Sequence, residues 1–217
     1  MKVSEIYKKY KIMPRLQDHM LRVAAVASMI SDNFQKPVDK NLIIPACLLH
    51  DIGNIVKSDF NKWPPEITKE KDLGYWLRVQ NEFIEKYGSN DHTATINIIN
   101  EIGLDQNITD ILHNLEFSYT LEIADSKRFE RKIIKYSDMR IAPYRVDTLK
   151  NRLSELKKRY GYKRKKRSEA EFDKLASAWK SIEKQIFAHC KIKPEDITEE
   201  KVRPLIENLR NFEIETS

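Results

Sequence analysis

Histidine and aspartate residues at well-separated positions are the residues of this chain best suited to chemistry. The chain has five histidines, and four of them lie in or beside stretches that we predict to be buried faces of helices. Asp51 and Asp138 also fall on apolar helix faces. An ionised carboxylate in such a place costs several kcal/mol unless it is paired or binds a metal. We therefore expect a positive group to meet these two aspartates.

The mixture of side chains predicts a transition-metal site. Neutral imidazole together with carboxylate suits Fe, Mn, Zn or Co better than Ca or Mg. His50 and Asp51 are adjacent, and neighbouring residues on a helix point about 100° apart. In the middle of a helix the two could not address one small target, but at a helix end they can straddle two adjacent ions. Asp51, with two carboxylate oxygens, is the natural bridge.

Two buried helices must position the first ligands. Residues 16–30 have apolar side chains at the spacing of one helical face, and His19 lies on that face. A more continuous apolar run over about residues 39–51 predicts a buried helix that closes with the His-Asp pair. We expect Gly53 to help end this helix.

The third histidine follows a loop and another helix. Residues 53–70 are predicted to form a loop, and a helix near residues 71–87 ends at a glycine. Asn90 or Asp91 can cap the next helix, which has His92 in its first turn.

The last two candidate ligands and the C-terminal part complete the predicted helices. His113 lies on a short amphipathic helix, and Asp138 lies on the apolar side of a helix over about residues 127–142. Alternating three and four spacings predict a helical hairpin over residues 145–190. A last helix is expected near residues 199–212.

Composition agrees with a helical protein. Of the 217 residues, 41% are hydrophobic and 33% charged, with only 5 Gly and 8 Pro, which disfavours a turn-rich β-sandwich and a disordered chain. We predict an all-α fold with a metal-binding core over residues 1–145 and a helical extension over residues 146–217 packed on it. Cys47 and Cys190 are interpreted as small core residues. The apolar stretches are far shorter than the about 18 residues of a membrane span, so we expect a cytoplasmic protein.

Five segments carry a resemblance to a known family. Within residues 14–145 they are RLQDHMLRVAAVA, LLHDIGN, DHTAT, ILHNLEF and KYSDMRIAP. Their ordered His, His-Asp, His, His, Asp pattern resembles that of HD-domain proteins, whose fold is a helical bundle. The two middle histidines make the chain similar to the dinuclear branch, which includes HD-GYP phosphodiesterases and diadenosine tetraphosphate hydrolases.

The resemblance implies a metal-dependent phosphohydrolase with two divalent transition metal ions per chain (Fe, Mn, Co or Zn). It implies one ion held by His19, His50, Asp51 and Asp138, and a second held by His92, His113 and the bridging Asp51. Two ions about 3.5 to 4 Å apart can activate a water as hydroxide, which Asp51 would orient, and can clamp phosphoryl oxygens. The chain departs from the HD-GYP branch, which has a lysine where Asn54 stands, and residues 53–88 look like an insertion.

A phosphorylated substrate needs further polar groups, and we expect a nucleotide: a nucleoside monophosphate, a dinucleoside polyphosphate or a cyclic nucleotide. Arg22 follows His19 by three residues and should share its face. The alternative for each candidate is a surface charge or an internal ion pair. The substrate-binding candidates are Arg22, Asn54, Lys57, Arg140 and Arg145.

The net charge of +6 is concentrated in one run that begins at Lys157 and ends at Arg167 (KKRYGYKRKKR). Clustered cations with two tyrosines among them could bind nucleic acid or a polyphosphate. The alternative is a solvated hairpin tip.

Two other functions remain open at this point. Some HD-superfamily oxygenases are similar in using the same six ligands for a mixed-valent di-iron centre. The other alternative is a nucleotide or nucleic-acid binding module with a structural metal site.

Overall fold

The computed structural model describes residues 1–60, 73–143, 145–163 and 168–216, with the backbone alone for residues 159–163. The described chain is all-α apart from one short hairpin, which confirms the predicted fold class. The helices are α1 Val3–Lys9, α2 Pro14–Asp32, α3 Lys40–Leu49, α4 Leu73–Tyr87, α5 Asp91–Ile102, α6 Gln106–His113, α7 Thr120–Asp125, α8 Phe129–Met139, α9 Leu149–Lys163, α10 Glu169–Phe187 and α11 Glu199–Arg210. Short 3₁₀ turns cover Asn54–Lys57, Phe117–Tyr119 and Pro194–Asp196.

Local sequence explains where the helices that carry the candidate ligands begin and end. Pro14 is the first residue of α2, where its missing N–H costs nothing. The side chain of Asn90 accepts a hydrogen bond from Thr93 N and so caps α5, whereas Asp91 is already helical. Gly103 follows α5 in the left-handed conformation (φ 77°). These signals place His92 in the first turn of α5, as predicted.

Gly53 has a different role from the predicted one. Its φ is −87°, so it does not adopt the left-handed conformation of a helix-ending glycine. A Cβ at this position would lie 2.4 Å from Thr95 N and 2.8 Å from Ala94 C, and Gly53 N donates a hydrogen bond to Thr95 Oγ1. The glycine is required because α5 packs directly against the backbone at this point.

Two elements were not anticipated from the sequence. Val3–Lys9 forms α1 although charges interrupt its apolar residues, because Val3, Ile6 and Tyr7 are buried. The predicted helix at residues 127–142 is shorter, since Ile141–Ala142 (β1) pairs antiparallel with Arg145–Val146 (β2).

The C-terminal helices are close to the prediction. Helices α9 and α10 contact each other, and Lys157 pairs with Glu169 across the hairpin. Thr198 caps α11. Residues 164–167 of the predicted basic tip lie outside the described residues, as do residues 61–70 of the predicted loop.

Helix α2 lies at the centre of the fold. It packs against α3, α8 and α11, and α10 packs against α7 and α8. A single buried apolar cluster extends from α1 to α11, so residues 146–216 share the core with the N-terminal helices. The division of the chain at residue 145 stays a prediction. Among the described residues, no helix combines the length and apolarity needed to cross a membrane.

Candidate metal centre

Four of the predicted ligands converge from three helices. His19 lies on α2, the His50-Asp51 pair directly follows α3, and Asp138 lies near the end of α8. His19 Nε2 is 3.3 Å from His50 Nε2, 3.5 Å from Asp51 Oδ2 and 3.3 Å from Asp138 Oδ1. His50 Nε2 lies 3.7 Å from Asp51 Oδ2 and 3.5 Å from Asp138 Oδ1. Residues that are far apart in the sequence thus direct nitrogen and oxygen donors at one point.

The backbone fixes the orientation of the His50 ring. Its Nδ1 lies 2.8 Å from Cys47 O, and a carbonyl can only accept a hydrogen bond, so Nδ1 carries the proton. The lone pair of Nε2 then faces His19 and the two carboxylates. Metal-binding histidines usually have their other ring nitrogen held in this way.

Negative and neutral donor groups lie close together in this centre, and a positive charge among them is favourable. Burial alone would lower the pKa of His50, but the carboxylates of Asp51 and Asp138 raise it to about 9. Burial would raise the pKa of Asp138, but hydrogen bonds from His19 and His50 hold it well below its usual range. Asp138 therefore stays ionised, and the raised pKa of His50 lets its ring carry a positive charge beside this carboxylate.

The donor set fits a transition-metal ion. Donors about 2.1 Å from an ion in tetrahedral geometry are separated by about 3.4 Å, and the five separations above lie between 3.3 and 3.7 Å. The side chains of His19, His50 and Asp51 form a cluster of potential metal ligands.

His92 and His113 lie together beside this cluster. Their ring centroids are 6.0 Å apart, with His92 at the start of α5 and His113 at the end of α6. His92 lines the same pocket as Asp51 and Asp138, whereas His113 is exposed. The second ion is therefore a proposal that rests on these two histidines and Asp51.

A pocket of about 370 Å³ opens beside the ligands. Two of the candidate substrate-binding residues, Asn54 and Lys57, line it. Lys57 forms an ion pair with Asp91 at the pocket wall. Burial would lower the pKa of Lys57, but Asp51 and Asp91 raise it above its ordinary value, so Lys57 keeps its positive charge.

Sequence reasoning missed a second lysine in this pocket. Lys135 is buried, with 6% exposure, and lies one helical turn before Asp138. The pocket lining includes both side chains. The spacing of three residues from a ligand was the available signal, since residues three apart share a helix face.

The three predicted arginines do not line this pocket. Arg22 donates to Glu199 at the start of α11. Arg145 is 69% exposed and pairs with Asp147. Arg140 is 1% exposed, and it donates to Tyr136 Oη and to three backbone oxygens, those of Asp147, Pro194 and Ile197. Arg22 and Arg140 thus connect structural elements, whereas Arg145 forms an exposed local ion pair.

Comparison with known families identifies the ligand-bearing segment. Residues 16–114 match the family model of the HD domain. This segment is an HD domain. HD domains bind divalent metals and form a superfamily of metal-dependent phosphohydrolases. In this chain, the HD domain contains five of the six predicted ligands, and Asp138 follows it. No curated protein and no solved structure matches the chain.

Proposed function

We propose that this protein hydrolyses a phosphoester or phosphoanhydride bond, most directly that of a nucleotide, in a metal-dependent reaction. One observation carries the proposal: the donors of His50, Asp51 and Asp138, which converge with His19, border a pocket that is also lined by lysine side chains. Nitrogen and oxygen donors at one point suit a divalent metal, and lysines beside them suit phosphate.

The ligands divide into two groups in this proposal. His19, His50, Asp51 and Asp138 would hold one divalent ion, and His92, His113 and Asp51 would hold a second. When bound, such ions supply Lewis acidity, which lowers the pKa of a water and neutralises phosphoryl oxygens. Asp51 orients the attacking water, and Cys47 O keeps the His50 ring in place.

Other residues of the pocket bind the substrate. Lys57 donates to a phosphoryl oxygen, and Asn54, one 3₁₀ turn earlier, offers an amide. In the hydrolysis, a bond forms between the water oxygen and phosphorus, and the bond from phosphorus to the leaving oxygen breaks. A proton from the water reaches the leaving group directly or through solvent.

The test is elemental analysis of the purified protein together with activity after loading with Mn, Fe, Co or Zn. Substrates should include a phosphodiester, a phosphomonoester and a panel of nucleotides. We expect about two metals per chain and metal-dependent phosphate release that Asp51→Ala abolishes. His189→Ala is the matched control, because this histidine packs against Phe34 and Phe129, away from the pocket.

Two results would overturn the proposal. Two irons per chain with oxygen uptake and no phosphate release would make the protein an oxygenase. Absence of bound metal under all loading conditions would favour a binding module.

A further inference from the structure

Lys135 is a buried cation at the wall of the pocket. Its Nζ donates a hydrogen bond to Leu115 O, a neutral acceptor. Within the described parts of the chain, no carboxylate forms an ion pair with it. An ammonium group has three N–H donors, so two of them have no acceptor among the described residues.

This arrangement is unfavourable for the folded protein by itself. Burying a charge without a counter-charge costs several kcal/mol. The rings of Phe117 and Trp179, with centroids 5.9 and 5.6 Å from Nζ, offset part of this cost through cation–π attraction. Burial lowers the pKa of Lys135, and the charges of Asp138, Asp51 and Glu116 oppose that effect. Once a metal ion neutralises Asp138 and Asp51, these carboxylates stabilise the charged form of Lys135 less.

A second lysine on the same helix provides the contrast. Lys132 lies one turn before Lys135 and is also buried, with 3% exposure. Its Nζ donates to the side chain of Gln185 on α10, and it does not line the pocket. Both lysines donate to one neutral acceptor, but Lys132 connects two helices away from the pocket, whereas Lys135 lies beside the metal ligands.

We propose that Lys135 binds a non-bridging oxygen of the phosphoryl group, so that Lys57 and Lys135 together form a phosphate subsite beside the metal ligands. This inference rests on the proposed function and adds a substrate-binding residue to it. The phosphate supplies a directly hydrogen-bonded counter-charge, and its oxygens accept hydrogen bonds from the two spare N–H donors. The unfavourable burial of Lys135 is then retained because it serves binding, a common exchange of stability for function.

The experiment measures orthophosphate binding to the Mn²⁺-loaded protein by calorimetry. Lys135→Met removes the charge, and Lys135→Gln removes it while keeping a donor for Leu115 O. We expect both variants to bind orthophosphate at least about tenfold more weakly, because a hydrogen bond to a charged group is lost. Lys132→Met, the control, should bind within about twofold of wild type. In phosphate-free buffer, Lys135→Met should unfold at the same temperature as wild type or higher, since an unpaired buried charge has been removed.

Different failures have different meanings. If wild type releases phosphate from nucleotides and both Lys135 variants bind orthophosphate as tightly as wild type, the inference is wrong and the proposed function stands. If Lys135→Met and Lys135→Gln both lower the unfolding temperature while their folded fractions bind orthophosphate normally, Lys135 is structural, as Lys132 is. If wild type neither binds orthophosphate nor releases it from any substrate, the proposed function fails as well.

Discussion

The candidate metal centre depends on a few residues whose directions are set by the backbone. Cys47 O holds the Nδ1 proton of His50, so the other ring nitrogen faces the two carboxylates. His19 reaches the same point from α2 and Asp138 from α8. His92 and His113 are supplied by α5 and α6, on the other side of the His50-Asp51 turn in the sequence. The two groups should therefore be separable by mutation.

Substitution of single histidines should distinguish the two ions. We expect His92→Ala to lower the metal content from about two to about one per chain, because the ligands of the other ion remain. His50→Ala should lower the affinity of the first ion at least tenfold and leave the protein folded. Inductively coupled plasma mass spectrometry after dialysis measures both, and His189→Ala should retain the wild-type content. An equal loss in His92→Ala and His50→Ala would indicate a single centre.

Lys57 should act on substrate binding more than on turnover. Lys57→Met removes a charge that Asp51 and Asp91 maintain, so we expect KM for a nucleotide to rise about tenfold or more with a smaller change in kcat. Steady-state kinetics at constant ionic strength measures the effect. Lys86→Met is the control, since Lys86 pairs with Glu101 at the surface, and its kinetic constants should not change. A fall in kcat with constant KM would contradict a binding role.

The convergence of His19, His50, Asp51 and Asp138 could be predicted from the sequence because their types and order are distinctive. Which side chains line the pocket depends on the direction in which they point. Arg140 follows Asp138 by two residues, which is about 200° around a helix, so it points away from the pocket. Lys135 precedes Asp138 by three residues, about 60° away in projection, and points into the pocket. Arg22 lies on a suitable face, yet Glu199 binds it from 177 residues away. A position close to a ligand in the sequence therefore does not show whether a side chain lines the pocket.

At the level of elements, the β-hairpin and the start of α9 are organised around a buried arginine. Arg140 connects the end of α8 to the carbonyls of Asp147, Pro194 and Ile197. Asp147 also donates its own N–H to Arg140 O. The sequence could not predict this connection, because a two-residue strand pair has too few residues for an alternating pattern.

Arg140→Met should destabilise the protein without altering substrate binding. Three carbonyls and the Tyr136 hydroxyl would lose a charged donor, and we expect the free energy of unfolding to fall by about 2 to 4 kcal/mol. Urea denaturation followed by circular dichroism measures it. Arg145→Met, at an exposed site, should change it by less than about 0.5 kcal/mol. If the stability is unchanged and KM is raised, Arg140 binds substrate and is not structural.

The carboxylate of Asp147 should make the free energy of unfolding depend on pH. Burial would raise its pKa, but hydrogen bonds from Asn151, Arg145 and Thr148 N lower it below its ordinary value. Because the folded pKa lies below the unfolded one, the stabilisation is complete above about pH 4 and is lost as the pH falls through the folded pKa. Asp147→Asn should therefore cost about 1 kcal/mol at pH 7 and much less near pH 3. Urea titrations between these pH values test this, and a difference that stays constant would contradict it.

In the whole molecule, the C-terminal segment braces the helix that carries His19. Glu199 binds Arg22, Arg210 pairs with Asp18, and Glu199 also accepts from Val146 N. The sequence indicated α11 through its cap and periodicity, but not that it packs on α2, because pairing between distant helices leaves no local pattern. The result is a buried apolar cluster that includes residues from both parts of the chain.

Deletion of residues 194–217 should consequently affect the metal centre. It removes the partners of Arg22 and Asp18 and two carbonyl acceptors of Arg140. We expect a loss of cooperative unfolding and a metal content below one per chain, measured by calorimetry and elemental analysis. A truncated chain with wild-type metal content would show that residues 1–193 fold independently.

The close backbone contact at Gly53 should influence the distance between the two proposed metal ions. The missing side chain of Gly53 lets the backbone after Asp51 rest directly on Thr95 and Ala94, three and two residues after His92. The interval between the two proposed ions is therefore set by a contact that has no room for a methyl group. Exchange coupling between two Mn²⁺ ions changes steeply with their separation, so Gly53→Ala should alter the electron paramagnetic resonance spectrum of the loaded protein even where both ions remain bound.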